Sequence, residues 1–409
     1  MKIIPASFRK DALEKTTMLQ PFLTNFVHSI RFGSGSINEL PAAIKNHESD
    51  SCTIITDENV RRQPFFEKVL EGLDEAKISS TIYSGVEPDP NIDTIKDLGE
   101  LVRKDGNSVV VGIGGGSSLD AAKCAALLGN TSEDIESFIG LNKCPRTVRK
   151  KILIPTTSGT GSEVTCVAVL TKTQSGGGDT KVLIKDPVLY AELALIDPDL
   201  TVSMPQSVTA ATGMDAFTHA YESYTNNVYN PISDQFAIEA IKLIGQWLKR
   251  AVTDGTDLKA RYFMSQASLF AGLAFANTAT ALVHAIAQGV GSRYHIAHGF
   301  ANAVILPYII KFNSPACIEK TAQIYSSLNG DIMHSKGFES ASQLSGFVKQ
   351  LNADIGIPAD FSSIGVKMDE KEIKEILLET KENTPQLWEV NSRSADIEEV
   401  IEAIKPLLI

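Results

Sequence analysis

The first half of the chain alternates short, almost continuously apolar runs with stretches whose apolar residues recur every three or four positions. Ser51–Thr56 (SCTIIT), Ser79–Tyr83 (SSTIY), Ser108–Gly112 (SVVVG) and Lys151–Pro155 (KILIP) are runs of the first kind, and Phe65–Ala76 and Asn91–Lys104 are stretches of the second. Near-continuous apolar strands separated by helices predict a parallel sheet covered on both faces. Val167–Leu195 departs from this alternation. There, β-rich runs flank the glycine-rich Ser175–Asp179, which reads as a hairpin excursion or a loop.

The period changes near Pro205. Val208–Tyr224, Ser233–Thr253, Leu258–Ala274 and Ala279–Tyr294 carry helical spacing, and so do Ala301–Phe312, Ile318–Leu328, Phe338–Leu351, Asp369–Thr380 and Ser394–Lys405. No strand is read after Ile196. With breaks at Asp197–Asp199 and Pro205, the pattern predicts an α/β domain over residues 1–204 and an all-helical domain over 205–409. A cleft between two such domains is a favoured ligand site.

Composition narrows the partners. The net charge of −11 opposes nucleic acid and anionic membrane surfaces. The longest apolar runs, such as Ala301–Ile310, fall short of the roughly 20 residues a bilayer span requires. Met1–Thr17 mixes charges of both signs and reads as no secretory signal. Five scattered cysteines without CxxC spacing predict free thiols in a reducing cytoplasm and argue against a cysteine zinc site.

Ser108–Lys123 (SVVVGIGGGSSLDAAK) runs a strand into Gly112, Gly114, Gly115 and Gly116, with a helix starting near Ser117. Glycines let a backbone approach phosphate, and the free N–H groups of a helix start bind anions. The spacing is neither G-x-G-x-x-G nor a Walker loop. The plain alternative is a tight turn with Ser117 as N-cap. Asp120, in the first helical turn, would repel a phosphate there; it orients a nicotinamide amide or a loop, or simply pairs with the helix dipole. Asp57 ends the first apolar run (TIITD), where a carboxylate can hold an adenosine ribose or cap the next helix. Thr156–Thr165 (TTSGTGSEVT) is a second hydroxyl-rich loop after a strand. Two such loops in one sheet domain favour a dinucleotide site.

Seven histidines are present, and four of them lie between residues 219 and 298. Asp215 and His219 share a helix face at four-residue spacing (TGMDAFTHA). His284 lies in TALVHAIAQ, and His298 lies in YHIAHG just before Gly299. Each histidine alone reads as an ordinary packed residue. One carboxylate with three imidazoles on largely uncharged helices suits Fe²⁺ or Zn²⁺ rather than Cu(I), Ca²⁺ or Mg²⁺.

Taken together, FGSGSINELP (32–41), GGGSSLDAAK (114–123), IPTTSGTGSEVT (154–165), DPDL (197–200), GMDAFTHAYES (213–223) and VHAIAQGVGSRYHIAHGFANAVILP (283–307) resemble the iron-containing (group III) alcohol dehydrogenases. The resemblance implies a dehydroquinate-synthase-like fold, in which a nucleotide-binding α/β domain precedes a helical metal domain. It implies Asp215, His219, His284 and His298 as metal ligands. By the same carry-over, Gly114, Gly115, Gly116 and Ser117 lie at the pyrophosphate, with Asp120 beside them. Thr156, Thr157, Thr165 and Lys181 would line the cofactor cleft, and Asp57 would hold the adenosine ribose. The implied activity is hydride transfer between NAD(H) and a small primary alcohol or aldehyde, with the metal lowering the alcohol pKa. A homodimer or larger homo-oligomer is implied as well.

Two positions depart from the family pattern. Gln288 stands where many members carry a second histidine near substrate, so it bears on proton relay and substrate preference rather than on metal binding. Asp89 (VEPDPN) stands where the family usually has Asn, which bears on a hydrogen bond near the cofactor. Arg293 could pair a substrate carboxylate, which would suit a hydroxy acid of the 4-hydroxybutyrate or lactaldehyde type, or it could be a surface cation. A polyol dehydrogenase of the same family is a further variant. His295 could pass on a proton or pack at a helix end. A carbon–oxygen lyase on the same fold would need a Lys/Arg cluster, and residues 208–224 and 279–300 hold only Arg293. A non-catalytic assembly protein would have no need of the Asp/His set.

Overall fold

The computed structural model describes residues 21–106, 108–173, 179–329 and 337–408. Met1–Thr17, His334 and most of Ser175–Asp179 therefore lie outside the described residues. The main sheet is six-stranded. It consists of β1 (Ile30–Phe32), β2 (Ser51–Ile55), β3 (Ser79–Tyr83), β4 (Val109–Gly114), β6 (Lys151–Pro155) and β9 (Leu193–Ile196). All its pairings are parallel, in the spatial order β1-β9-β6-β4-β2-β3. A smaller sheet is built from the antiparallel hairpin β7 (Val167–Thr173) and β8 (Asp179–Lys185), with β5 (Gly140–Leu141) parallel to β8.

Every residue of β4 is buried, because α5 (Gly116–Leu128) covers one face and side chains of α1 (Leu40–Asn46) and α3 (Pro64–Glu75) fill the other. The other helices on this sheet are the short α2 (Glu58–Arg61) and α4 (Ile92–Lys104), which Asn91 caps through the Asp93 N–H. The chain leaves β2 outward to β3 and returns on the other side of β2 as β4. That reversal is a topological switch point, where open α/β sheets form their ligand crevice. The C-terminal ends of β2, β4 and β6 stand side by side, with Ile55 opposite Gly112 and Gly114 opposite Pro155. Asp57, the glycine turn and the Thr156–Thr165 loop therefore emerge at one edge. β1 and β5 escape the periodic reading because they are too short to establish an alternation.

Helices follow from Gln206 onward: α6 (Gln206–Thr225), α7 (Pro231–Thr253), α8 (Leu258–Asn277), α9 (Leu282–Tyr294), α10 (His298–Asn313) and α11 (Ile318–Asn329). They continue with α12 (Gly337–Asp354), α13 (Glu370–Asn383), the five-residue α14 (Pro385–Glu389) and α15 (Ile397–Ile404). From Gly213 to Thr225, α6 is buried on every side. Small and apolar residues make that possible, and every charged group on this stretch then needs a partner. The helix expected from Ala279 begins at Leu282, since Ala279–Ala281 form the turn into it. No single helix among the described residues is long and apolar enough to cross a membrane.

Candidate active site

The glycine turn is pressed between two elements. Gly114 has φ +155°, and a Cβ there would meet Ser118 at 2.6 Å and Asp57 Oδ2 at 3.3 Å. A Cβ on Gly116 would meet Thr160 Cγ2 at 2.8 Å, whereas Gly115 has only ordinary contact with Thr157 at 3.5 Å. The Thr156 N–H donates to Gly114 O at 2.9 Å, locking the two loops together. Helix α5 is N-capped by Gly115 with no side-chain acceptor, which leaves its first-turn N–H groups able to bind an anion. Ser117 is therefore not the N-cap. Its Oγ instead accepts the Asp89 N–H at 3.1 Å.

Asp57 serves the cap and the crevice together. Its Oδ1 accepts from the N–H groups of Asn59 and Val60 at 2.9 and 3.0 Å, while Oδ2 receives Ser118 Oγ at 3.4 Å. Asp120 orients a loop: it accepts Ser162 Oγ at 2.6 Å, the Val169 N–H at 3.0 Å and Lys123 Nζ at 3.1 Å. The fully buried Lys123 also donates to Ser162 Oγ, Thr165 Oγ1 and Val167 O at 2.7, 3.2 and 2.7 Å. Thr165 thereby belongs to this network. Its buried hydroxyl is satisfied by Lys123 and Ser162 O. Lys181 Nζ donates to Thr171 Oγ1 and pairs with Asp89 Oδ1, both at 2.9 Å. A lysine inside an otherwise small and apolar helix (AAKCAALL) is the signal that points to Lys123.

The hydroxyl-rich loop also reaches the helical half. A Cβ on Gly159 would strike Thr212 of α6 at 2.6 Å, and one on Gly161 would strike Gly272 of α8 at 2.6 Å. Gly159 O accepts from His219 Nδ1 at 3.3 Å. The loop beside the glycine turn therefore holds a histidine of α6.

Three of the four expected ligands share a focus. Asp215 Oδ1 lies 3.8 Å from His284 Nε2 and 3.7 Å from His298 Nε2, and the ligand atoms of all three residues lie within 4.8 Å of one another. Gly299 makes this approach possible: a Cβ there would strike the Ala211 carbonyl and meet Asp215 Cβ at 3.1 Å. His219 stands just outside the focus. Its ring is stacked between Phe275 and His284, with centroids 4.3 and 4.6 Å away, and its Nδ1 is 3.9 Å from Asp215 Oδ2. The stack and the Gly159 bond set that orientation.

Electrostatics favours a cation at this focus. Burial drives the His219 imidazole down to about 3, so it is neutral at pH 7. Burial alone would raise the Asp215 carboxyl, but the neighbouring imidazoles and the Asn302 amide outweigh it and hold it below the ordinary range. Glu222 Oε2 accepts His284 Nδ1–H at 2.6 Å, which leaves the Nε2 lone pair aimed at Asp215. The Asn302 Nδ2 amine lies 2.7 Å from Asp215 Oδ1, 3.1 Å from His298 Nε2 and 3.3 Å from His284 Nε2. Two amide hydrogens cannot satisfy three acceptors. A carboxylate and imidazoles short of donors are the donor set of a divalent first-row ion, so the residues fit one. Glu222 and Asn302 were not singled out by sequence reasoning. The stripe of Asp215, His219 and Glu222 at four- and three-residue spacing on α6 is the signal for the first.

The remaining candidates divide. Gln288 is half-buried on α9, one turn beyond His284. His295 is exposed and left-handed, φ 54°, as the C-cap of α9, which is the helix-end role. Arg293 pairs with Glu379 at 3.1 Å and Glu375 at 3.8 Å on α13, so it is committed away from a substrate carboxylate.

Comparison with known proteins gives the family. Residues 28–198 match the model of the iron-containing alcohol dehydrogenases, and residues 209–407 match the C-terminal model of the same family. The chain belongs to that family. It is 38% identical over 338 residues to long-chain-alcohol dehydrogenase 1 of Geobacillus thermodenitrificans, covering 82% of this chain and 84% of the relative. The crystal structure of a 1,3-propanediol oxidoreductase superposes with a TM-score of 0.90 at 31% identity, covering 95% of this chain and all of the other. The sulfoacetaldehyde reductase of Bifidobacterium kashiwanohense, solved in complex with NAD+, gives a TM-score of 0.85 at 27% identity, over 95% of this chain and 99% of that one.

Proposed function

We propose that the chain is an NAD-dependent, metal-dependent oxidoreductase that interconverts a small primary alcohol and its aldehyde. The observation that carries this reading is the convergence of Asp215 Oδ1, His284 Nε2 and His298 Nε2 within 4.8 Å, joined through Gly159 and His219 to the loop beside the glycine turn. Asp215, His284 and His298 would hold Fe²⁺ or Zn²⁺, with His219 adjacent. Gly114–Ser117 and Thr156–Thr157 would hold the cofactor phosphates, and Asp57 Oδ2 the adenosine ribose. When bound, the cation supplies Lewis-acid polarisation of the alcohol or carbonyl oxygen and the nicotinamide supplies the hydride acceptor.

The protein residues do the rest. Glu222 keeps the His284 proton on Nδ1, so Nε2 stays a ligand. The Lys123–Asp120–Ser162 network fixes the second loop against α5, and Gly159 ties that loop to α6. The reacting centres are thereby held on a rigid frame. Gln288 can hydrogen-bond a substrate hydroxyl but cannot carry a proton away at neutral pH. The test is NADH absorbance on adding 1-butanol, with Fe²⁺ or Zn²⁺ and after chelation. Turnover that is equal in the chelated and loaded protein would refute the metal's role.

A further inference from the structure

The chain enters β1 through Pro21–Ser29, a segment with neither helix nor strand that touches both halves of the molecule. Its alternate side chains meet the helical half. Phe22 lies edge-on to Tyr229 with centroids 6.2 Å apart, Thr24 Oγ1 accepts Asn230 Nδ2 at 3.2 Å, and Phe26 lies edge-on to Phe236 of α7 at 6.1 Å. The next residue points the other way: Val27 is buried in the sheet-half core with Ile55, Leu189 and Ile196. His28 N–H donates to Ala191 O at 3.4 Å. Asn25 is bonded to both halves at once. Its N–H donates to Asn277 Oδ1 of α8 at 2.6 Å, and its carbonyl accepts the Tyr190 hydroxyl at 3.3 Å.

Helix α8 is where the two cores meet. Ala260, Met264, Ala267, Ala271 and Ala274 lie in the helical core, whereas Leu269 and Leu273 lie in the sheet-half core. The entering chain follows this helix backwards, from Asn25 at Asn277 to Phe32 on Tyr262, whose ring centroids are 4.9 Å apart. Tyr262 to Asn277 spans about 22 Å of helix axis, and Asn25 to Phe32 spans about 23 Å of fully extended chain. The chain between these anchors therefore has almost no slack. Phe22 and Phe26 remain 44% and 43% exposed, so their ring contacts can part without emptying either core.

We propose that residues 22–27 are an interdomain strap: they limit how far the helical half can swing from the sheet half, and so keep the Thr156–Thr165 loop in register with α6 and α8. That loop is seated on both helices, through Gly159 against Thr212 and Gly161 against Gly272. The strap stands on these contacts alone. Its consequence for cofactor affinity rests on the dinucleotide reading above, since a crevice that opens more often spends less time in the form that binds.

The test uses the full-length, metal-loaded protein and two variants. Phe22→Ala/Phe26→Ala removes the ring contacts, and Tyr190→Phe removes a single hydroxyl. Without cofactor, release of the strap should speed amide hydrogen exchange in the Thr156–Thr165 loop by about tenfold in the double variant, less in Tyr190→Phe, while β4 and α10 stay within about twofold of wild type. Faster exchange confined to residues 22–29 and their direct partners would overturn the proposal, and so would a uniform rise throughout both halves. Conversion of a dimer to a monomer in the double variant, read by light scattering, would assign Phe22 and Phe26 to a subunit contact and overturn it too. The NADH Kd, read by nicotinamide fluorescence, should rise about fivefold in the double variant as the binding-competent fraction falls. A Kd equal to that of wild type beside faster loop exchange would refute the link to the crevice. Failure of wild type to bind NADH would overturn the dinucleotide reading and leave the strap to be judged by exchange alone.

Discussion

Glu222 and His284 meet at 2.6 Å although 62 residues separate them, and both are buried. The same carboxylate accepts the N–H groups of Ala281 and Val283 at 2.7 and 2.6 Å. Helix α9 has no side-chain cap of its own, so a residue of α6 caps it and orients its histidine at once. Glu222→Gln should weaken metal binding by about 10–100-fold, because the amide accepts hydrogen bonds less well and leaves the His284 tautomer free. Glu222→Ala should also lower Tm, since it strands two buried N–H groups. Isothermal titration with Zn²⁺ and a thermal melt of the metal-free protein separate the two effects. Unchanged Zn²⁺ affinity in Glu222→Gln would refute the orienting role.

Among the described residues, Asp215 supplies the only carboxylate of the focus. Asp215→Ala should abolish stoichiometric metal and alcohol oxidation together, measured by elemental analysis and NADH formation on one preparation. Bound metal stabilises the native state by linkage, so a chelator should lower the Tm of wild type and leave that of Asp215→Ala unmoved. Loss of metal with turnover near wild type would end the Lewis-acid reading. A chelator shift that persists in Asp215→Ala would place the ion elsewhere.

Asp57 has two roles that a single substitution can separate. One oxygen caps α2 and the other borders the crevice. Asn caps nearly as well as Asp, so Asp57→Asn should change stability by less than about 1 kcal/mol. A carboxylate at this strand end repels a ribose 2′-phosphate, so the same variant should raise kcat/KM for NADP relative to NAD. A cofactor ratio equal to that of wild type, at unchanged stability, would reduce Asp57 to a helix cap.

Local periodicity carried much of the sheet and most of the helices into view, because strands such as Val109–Gly114 are buried on both faces and read as unbroken apolar runs. It could not show β1, β5 or α14, where two to five residues give no period. At the site, Asp215, His284 and His298 stood out as polar groups on uncharged helices. The partner that fixes a tautomer was not visible in the same way: Glu222 resembles any helical glutamate until the fold brings Ala281–His284 against it. Arg293 shows the converse. Proximity in sequence to the histidines suggested a substrate contact, but its partners Glu375 and Glu379 come from a helix some eighty residues away. His219 shares a helix face with Asp215 as the spacing requires, yet its ring direction is set by Phe275 and Gly159, which lie on other elements.

Glu163 gives a stability prediction with a definite sign. It lies buried in the loop between the two halves, and burial raises its carboxyl to about 7, with its own backbone N–H and Lys123 opposing. In the unfolded chain it titrates near its ordinary value of 4.5. Between those values the unfolded state releases the proton first, so the folded state binds more protons and stability falls as pH rises. Above about pH 7 both states are ionised and the loss levels off, at a few kcal/mol if the whole shift is realised. Glu163→Gln removes this titration. Its stability relative to wild type, from denaturant midpoints, should therefore rise steadily from about pH 5 to 7 and then stay level. A difference independent of pH would show that Glu163 is ionised in the folded protein and that Lys123 compensates its charge.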